Sequence, residues 1–188
     1  LISEPELLSD MIKQARARVG SLPVSVKIRL RKDGLPATVD LVRKAEAAGA
    51  SWVTVHGRTP SERTSAVNYE AIKNIKLSTQ VPVIANGDAC SADDVARIHQ
   101  ETGCDGVMAA RGLLSNPAMF EEGVTSTPLS VVREWVDLAM DLGTPFPCFH
   151  HHLSQMLESS LSRPERRHLN SLVTTASTLD FLQTRYFA

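Results

Sequence analysis

Four short apolar runs recur along the first two-thirds of the chain, and their spacing constrains the fold more than any other feature. Residues 24–30, 52–56, 81–85 and 106–110 are rich in β-branched side chains and bounded by turn formers, the signature of strands. Their starts lie 25–29 residues apart. That interval holds one strand, one helix and two loops, so the runs read as βα units with parallel strands and right-handed crossovers. Helical patterns fill the gaps. Thr38 is placed to cap a stretch bearing Leu41, Val42, Ala45 and Ala48 and closed by Gly49. Ser91 is placed to cap another, with Asp94 at the capping-box position, Val95 and Ile98 on its apolar side and Gly103 past its end. A shorter helix falls around 70–75 and a leading one at about 5–19. The expected class is α/β: half of an eight-stranded barrel, or most of a small open sheet.

The polarity of the first run helps to choose between them. Parallel strands covered on both faces are apolar throughout, yet Val24, Val26, Ile28 and Leu30 alternate with Ser25, Lys27 and Arg29. One face therefore meets something polar. The inner mouth of a barrel is such a place, because active sites there are built from strand ends and the loops that follow. An edge strand with one solvated face is the competing reading.

Beyond residue 120 the strand runs stop. Residues 121–127 read as a linker and 128–188 as a small all-α domain. Pro128 suits the start of a helix with Val131, Trp135, Leu138 and Leu142 on one side and Gly143 closing it. Phe149, Leu153 and Met156 mark a second helix. Ser162 answered by Glu165 starts a third, and Leu179, Leu182 and Tyr186 mark a fourth.

Composition excludes several classes. Hydrophobic residues make up 43% and charged residues 22% of 188, an ordinary globular balance that argues against disorder and collagen-like repeats. No apolar run approaches the roughly 18–20 residues that span a bilayer, and the N-terminus lacks a signal-peptide pattern. Three cysteines, Cys90, Cys104 and Cys148, form no Cys-x-x-Cys pair, so a disulfide framework is not expected and a reducing, cytoplasmic setting is. Leu1 is not a methionine, so the chain reads as a piece of a longer protein. Net charge is −1, but Lys13, Arg16, Arg18, Lys27, Arg29, Arg31 and Lys32 fall in a stretch with no acidic residue. A solvated face explains such a run, and so does a phosphate-binding patch. Oligomeric state is not readable.

Candidate chemistry gathers at the C-terminal ends of the four runs, where parallel α/β sheets bind ligands. There stand Lys27 and Arg29, then His56-Gly57-Arg58, then Asn86-Gly87-Asp88, then Ala110-Arg111-Gly112. Glycine allows close backbone approach and arginine a bidentate phosphate contact, so the last two clusters together point to a phosphate-bearing ligand. His150-His151-His152 invites a metal, but adjacent helical residues point about 100° apart and share no face, so no metal site is expected.

The segments Pro23-Val-Ser-Val-Lys-Ile-Arg29, Val53-Thr-Val-His-Gly-Arg-Thr59, Pro82-Val-Ile-Ala-Asn-Gly-Asp88 and Asp105-Gly-Val-Met-Ala-Ala-Arg-Gly112, with Asn116-Pro117 after them, resemble the tRNA-dihydrouridine synthases in order and spacing. The resemblance covers nearly the whole chain and is strongest to the eukaryotic branch acting on uridines 20a and 20b. It implies the C-terminal half of an FMN-binding (β/α)8 barrel over residues 1–120 and a helical tRNA-binding domain over 128–188. It further implies flavin contacts by Lys27, His56, Asn86, Gly87, Asp88, Ala110 and Arg111, a place for Arg58 on the tRNA side, and NADPH or NADH as reductant. Two departures stand out. Bacterial members usually carry Gly-Arg at Ala110-Arg111. The family's proton-donating cysteine belongs to an Asn-x-Gly-Cys-Pro motif, and none of the three cysteines has those neighbours. The motif is therefore expected upstream of Leu1, and the isolated chain is expected to make no dihydrouridine. Competing readings are a phosphate-binding isomerase barrel and a non-catalytic short form with residual tRNA binding.

Overall fold

The computed structural model describes residues 3–187, which separate into two compact units. Residues up to Ala89 join Asp93–Ala109 in the first, and Cys90–Ala92 join the residues from Ala110 onward in the second.

In the first unit α1 (Pro5–Val19), β1 (Val26–Arg29), α2 (Leu35–Ala47), β2 (Val53–His56), α3 (Tyr69–Leu77), β3 (Val83–Asn86), α4 (Ala92–Thr102) and β4 (Gly106–Met108) alternate along the chain. The strands form one parallel sheet in the order β1-β2-β3-β4. Each expected run thus carries a strand, trimmed at its ends, with β3 extended to take in Asn86. Thr38 is not the cap that the sequence suggests. α2 begins a turn earlier, after Gly34 (φ +99), with Pro36 in its first turn, where the missing N–H costs nothing. Thr38 is instead fully buried, its hydroxyl donating to the Gly34 carbonyl at 3.1 Å and accepting from the Arg31 N–H at 2.9 Å. α4 does start directly after Ser91, and Gly103 (φ +65) follows its end.

Side chains in register on parallel neighbours share a face of the sheet. On one face Val53, Val55, Val83 and Ala85 are fully buried, and the helices bring Leu41, Val42, Ile72, Ile75 and Ile98 into the same core. A smaller cluster of Ile12, Ala45, Ala48 and Ala50 joins α1 to α2. The opposite face carries Lys27, Thr54, Ile84 and Gly106 in one row and Arg29, His56, Asn86 and Met108 in the next. Lys27 and Met108 are exposed there. β1 stands at one end of the strand order, as the edge-strand reading expects, and its Arg29 lies in one row with His56 and Asn86.

The second unit is helical: α5 (Arg111–Ser115), α6 (Leu129–Asp141), α7 (Phe146–Met156), α8 (Arg163–Ser171) and α9 (Thr175–Leu182), followed by a π-helical turn over Gln183–Phe187. Phe149, Leu153, Leu157, Leu169, Leu182, Val132 and Ala139 form its core. α5 packs on α7, so the contacts change over after Ala109 rather than after residue 120. Residues 121–127 hold no helix or strand, but they are pinned: Thr127 Oγ1 donates to the Ser115 carbonyl at 2.6 Å. On α6 the core side is Val132, Val136 and Ala139, one position round from the expected Val131, Trp135, Leu138 and Leu142. Leu138 and Leu142 are 48% and 78% exposed. The helix is apolar over more than one stripe, and packing against Phe149 selects among them. The Ser162–Glu165 capping box forms as expected. No helix among the described residues is long and apolar enough to cross a membrane.

Candidate cofactor site

β1, β2 and β3 end together, which places Arg29, His56 and Asn86 side by side at their C-terminal ends. Lys27 lies two residues below Arg29 on the same face. Burial and the charge of Arg29 lower its affinity for a proton. Arg29 is anchored rather than free to swing, its Nη1 donating to the Thr59 carbonyl at 2.9 Å and the Glu62 carbonyl at 3.3 Å.

His56 is strongly perturbed. Burial, then the positive charges of Arg29, Lys27 and Arg58, push its pKa down to about 4, with Asp88 opposing weakly. The ring is therefore neutral at physiological pH, one nitrogen a donor and the other an acceptor. Its Nε2 is buried and has no hydrogen-bond partner among the described residues. A buried polar atom without a partner costs stability unless something else satisfies it, so this atom marks a place for a ligand group.

The turn after β3 is held from several sides. The Asn86 carbonyl accepts from Gly57 N–H at 3.1 Å, and Asn86 Nδ2 donates to the Met108 carbonyl at 2.8 Å. Gly87 takes φ +135, and a Cβ there would stand 2.8 Å from one Val67 methyl and 3.3 Å from His56 Cδ2. Only glycine fits this backbone at this distance from the imidazole. The Tyr69 hydroxyl donates to the Gly87 carbonyl at 3.0 Å. Asp88 has φ +50, and it is the single non-glycine residue with positive φ among the described residues. Its carboxylate takes both arms of Arg58, Nη1 to Oδ1 at 2.9 Å and Nη2 to Oδ2, while Arg58 Nε donates to the Ser65 carbonyl at 2.6 Å. Arg58 is only 4% exposed.

In the helical unit, Ala110 precedes α5 with φ −134 and ψ −86, and the exposed Arg111 opens that helix. The three histidines of α7 diverge. His150 Nε2 lies 2.8 Å from the Leu169 carbonyl, and His152 meets the edge of Trp135 with ring centroids 5.0 Å apart.

The structure thus brings Lys27, His56, Asn86, Gly87 and Asp88 to one end of the sheet and turns Arg58 onto Asp88. Sequence reasoning missed Tyr69 and Val67, which reach the turn from a segment with no motif of its own. The nearest signal was Asn68, the side-chain cap of α3, whose Oδ1 accepts from Ala71 N–H at 2.8 Å and sets Tyr69 at the helix start.

The model of the family described as "Dihydrouridine synthase (Dus)" matches residues 1–184. The chain belongs to the dihydrouridine synthase family. Among curated relatives, the mouse protein named "tRNA-dihydrouridine(20a/20b) synthase [NAD(P)+]-like" is 52% identical over 187 residues, 99% of this chain and 57% of its own length. Its human counterpart of the same name is 51% identical, over 99% of this chain and 59% of that protein. The Saccharomyces cerevisiae "tRNA-dihydrouridine(20a/20b) synthase [NAD(P)+]" is 43% identical over 85% of this chain and 44% of its own length. The chain spans about half to three-fifths of the length of these dihydrouridine synthases. A solved structure of a putative dihydrodipicolinate synthase family protein from Coccidioides immitis matches 95% of this chain and 77% of that one at a TM-score of 0.46 and 13% identity, too slight a likeness to build on. Of the three cysteines, Cys104 is fully buried before β4, at the end of the strands away from His56, and Cys90 and Cys148 are exposed.

Proposed function

We propose that this chain is the C-terminal part of a cytoplasmic tRNA-dihydrouridine synthase, comprising the second half of its FMN barrel and the helical domain that holds tRNA, with uridines 20a and 20b as targets. The observation that carries the reading is the row Arg29, His56 and Asn86 at the strand ends, with Lys27 on the same face and the His56 Nε2 buried and without a partner among the described residues beside the Gly87 turn. The polar face of the sheet becomes the inner wall of the barrel. When bound, FMN, reduced by NADPH or NADH, supplies the hydride that saturates the 5,6 double bond of uracil.

This chain's own residues bind and orient. Lys27 offers a fixed positive charge on the inner face, where anionic character in a flavin ring would be favoured. His56, neutral and short of a partner, donates or accepts one hydrogen bond there without adding charge. Asn86, Gly87 and Asp88 present backbone that only glycine lets a ligand approach closely, and the resemblance adds Ala110 and Arg111 as phosphate contacts. Uridine in folded tRNA must be splayed out to be reached, so the helical domain acts as the platform that grips the RNA. Proton donation is assigned to the cysteine of the Asn-x-Gly-Cys-Pro motif that the resemblance implies, whose neighbours none of Cys90, Cys104 and Cys148 has.

The test is to purify the full-length protein, record its flavin spectrum, and supply tRNA lacking dihydrouridine with NADPH or NADH. Nucleoside mass spectrometry is expected to find dihydrouridine at positions 20a and 20b. The 188-residue chain alone is expected to give none. A full-length protein without flavin, or one that leaves those uridines unchanged, refutes the reading.

A further inference from the structure

We propose that Tyr69 and Arg58 are positioning residues for the phosphate end of the cofactor: they preset the Gly87–Asp88 turn and neutralise its carboxylate. The inference rests on the cofactor reading above and extends it to residues that touch no ligand themselves.

Two consecutive residues take positive φ, Gly87 at +135 and Asp88 at +50, a conformation open to glycine and, in the left-handed region, visited by aspartate more readily than by most side chains. Each is fastened from the segment after β2. The Tyr69 hydroxyl fixes the orientation of the Gly87 carbonyl, hence of the peptide plane that follows it. The ring is itself held, with the Arg97 guanidinium 5.5 Å from its centroid, and burial pushes its phenol up, so the hydroxyl stays a donor. Val67 closes the remaining side of Gly87.

Arg58 does a second thing. A carboxylate beside a phosphate cradle repels a dianion. The fork of Arg58 covers both oxygens of Asp88 and cancels that charge, while Nε on Ser65 stops the guanidinium from turning toward a ligand. Lysine would match the charge but not the fork.

The experiment compares FMN with riboflavin, which lacks only the phosphate, by fluorescence titration of the full-length apoprotein. Tyr69→Phe is expected to weaken FMN roughly three- to tenfold, the range of one lost neutral hydrogen bond, and riboflavin by no more than about twofold. Arg58→Met is expected to weaken FMN by about tenfold or more, and Arg58→Met with Asp88→Asn to recover part of that loss, because the uncovered charge is gone. A fold that merely loosened would weaken both flavins alike. Unchanged FMN affinity in Tyr69→Phe, or equal losses for the two flavins, overturns the proposal. Tyr69→Phe removes one oxygen atom, so it remains informative if Arg58→Met does not fold. A wild-type protein that binds neither flavin overturns the cofactor reading and this inference together; one that binds FMN while the variants are indifferent overturns this inference alone.

Discussion

The two units handle polar groups in opposite ways. In the helical unit the core is apolar, built on Phe149, Leu153 and Leu169, and its polar contacts run largely from side chains to backbone around it, as in the Ser162–Glu165 capping box and from Trp135 Nε1 to the Phe149 carbonyl at 3.3 Å. In the sheet unit a charged side chain, Arg58, is almost wholly buried, a histidine is held neutral, and two residues keep positive φ in succession. The first arrangement is what hydrophobic patterning produces in a core without buried charge. The second breaks those rules at one end of one sheet, which is where local rules are expected to fail at a functional site.

Substitutions can break this contrast. The largest effect is expected in the helical core, where Phe149→Ala removes a fully buried ring and should cost about 3–5 kcal/mol in urea unfolding of that unit. Flavin binding by the folded protein should survive better than stability does, and loss of both to the same degree would erase the distinction. Gly87→Ala is expected to be smaller in stability, about 1–3 kcal/mol for a strained backbone. Yet it should abolish FMN retention, because the added Cβ displaces Val67 and His56. FMN content equal to wild type in that variant would make the turn an ordinary one.

The smallest expected effect is in pH. His56 has a folded-state pKa of about 4, below its usual 6.5, so the unfolded chain takes up a proton first as acid is added. Its contribution is present above about pH 6.5 and is lost as the pH falls toward 4. Glu165, held down to about 2 by the Ser162 side chain and backbone and by Arg185, contributes above about pH 4.5 and loses that contribution only as the pH falls toward 2. Hydrogen exchange followed region by region between pH 7 and 3 should therefore show the sheet unit loosening first. His56→Gln should remove that early phase, and an early phase that persists in His56→Gln would show that another group sets it.

Much of this was legible beforehand, and the reason is local. Strand identity, parallel pairing and the Ser162 cap follow from local patterns, and all appear as read. The strand ends also pointed to Lys27, His56 and Asn86. What the sequence did not disclose depends on distance along the chain. The Arg58–Asp88 pair joins residues 30 apart, and Tyr69 meets Gly87 across 18. No periodicity records such pairings, and Arg58 alone reads as a substrate contact. The misplaced start of α2 has a different cause: threonine is a good cap, but Gly34 and Pro36 stop and start the chain more strongly.

Val67 deserves one more consequence. Its Cγ1 stands 2.6 Å from where a Cβ on Gly57 would lie and 3.0 Å from one on Gly87, with Cγ2 closer still to the latter at 2.8 Å. Three positions thus compete for a single small volume, and the order in which they change decides what survives. Alanine at 87 before any change at 67 meets the methyls directly; valine shortened first leaves the backbone strain and the His56 Cδ2 at 3.3 Å. Alanine at 57 still faces the Asn68 carbonyl at 3.0 Å whatever happens to Val67. The route out of this arrangement by single steps is therefore narrow and runs through position 67.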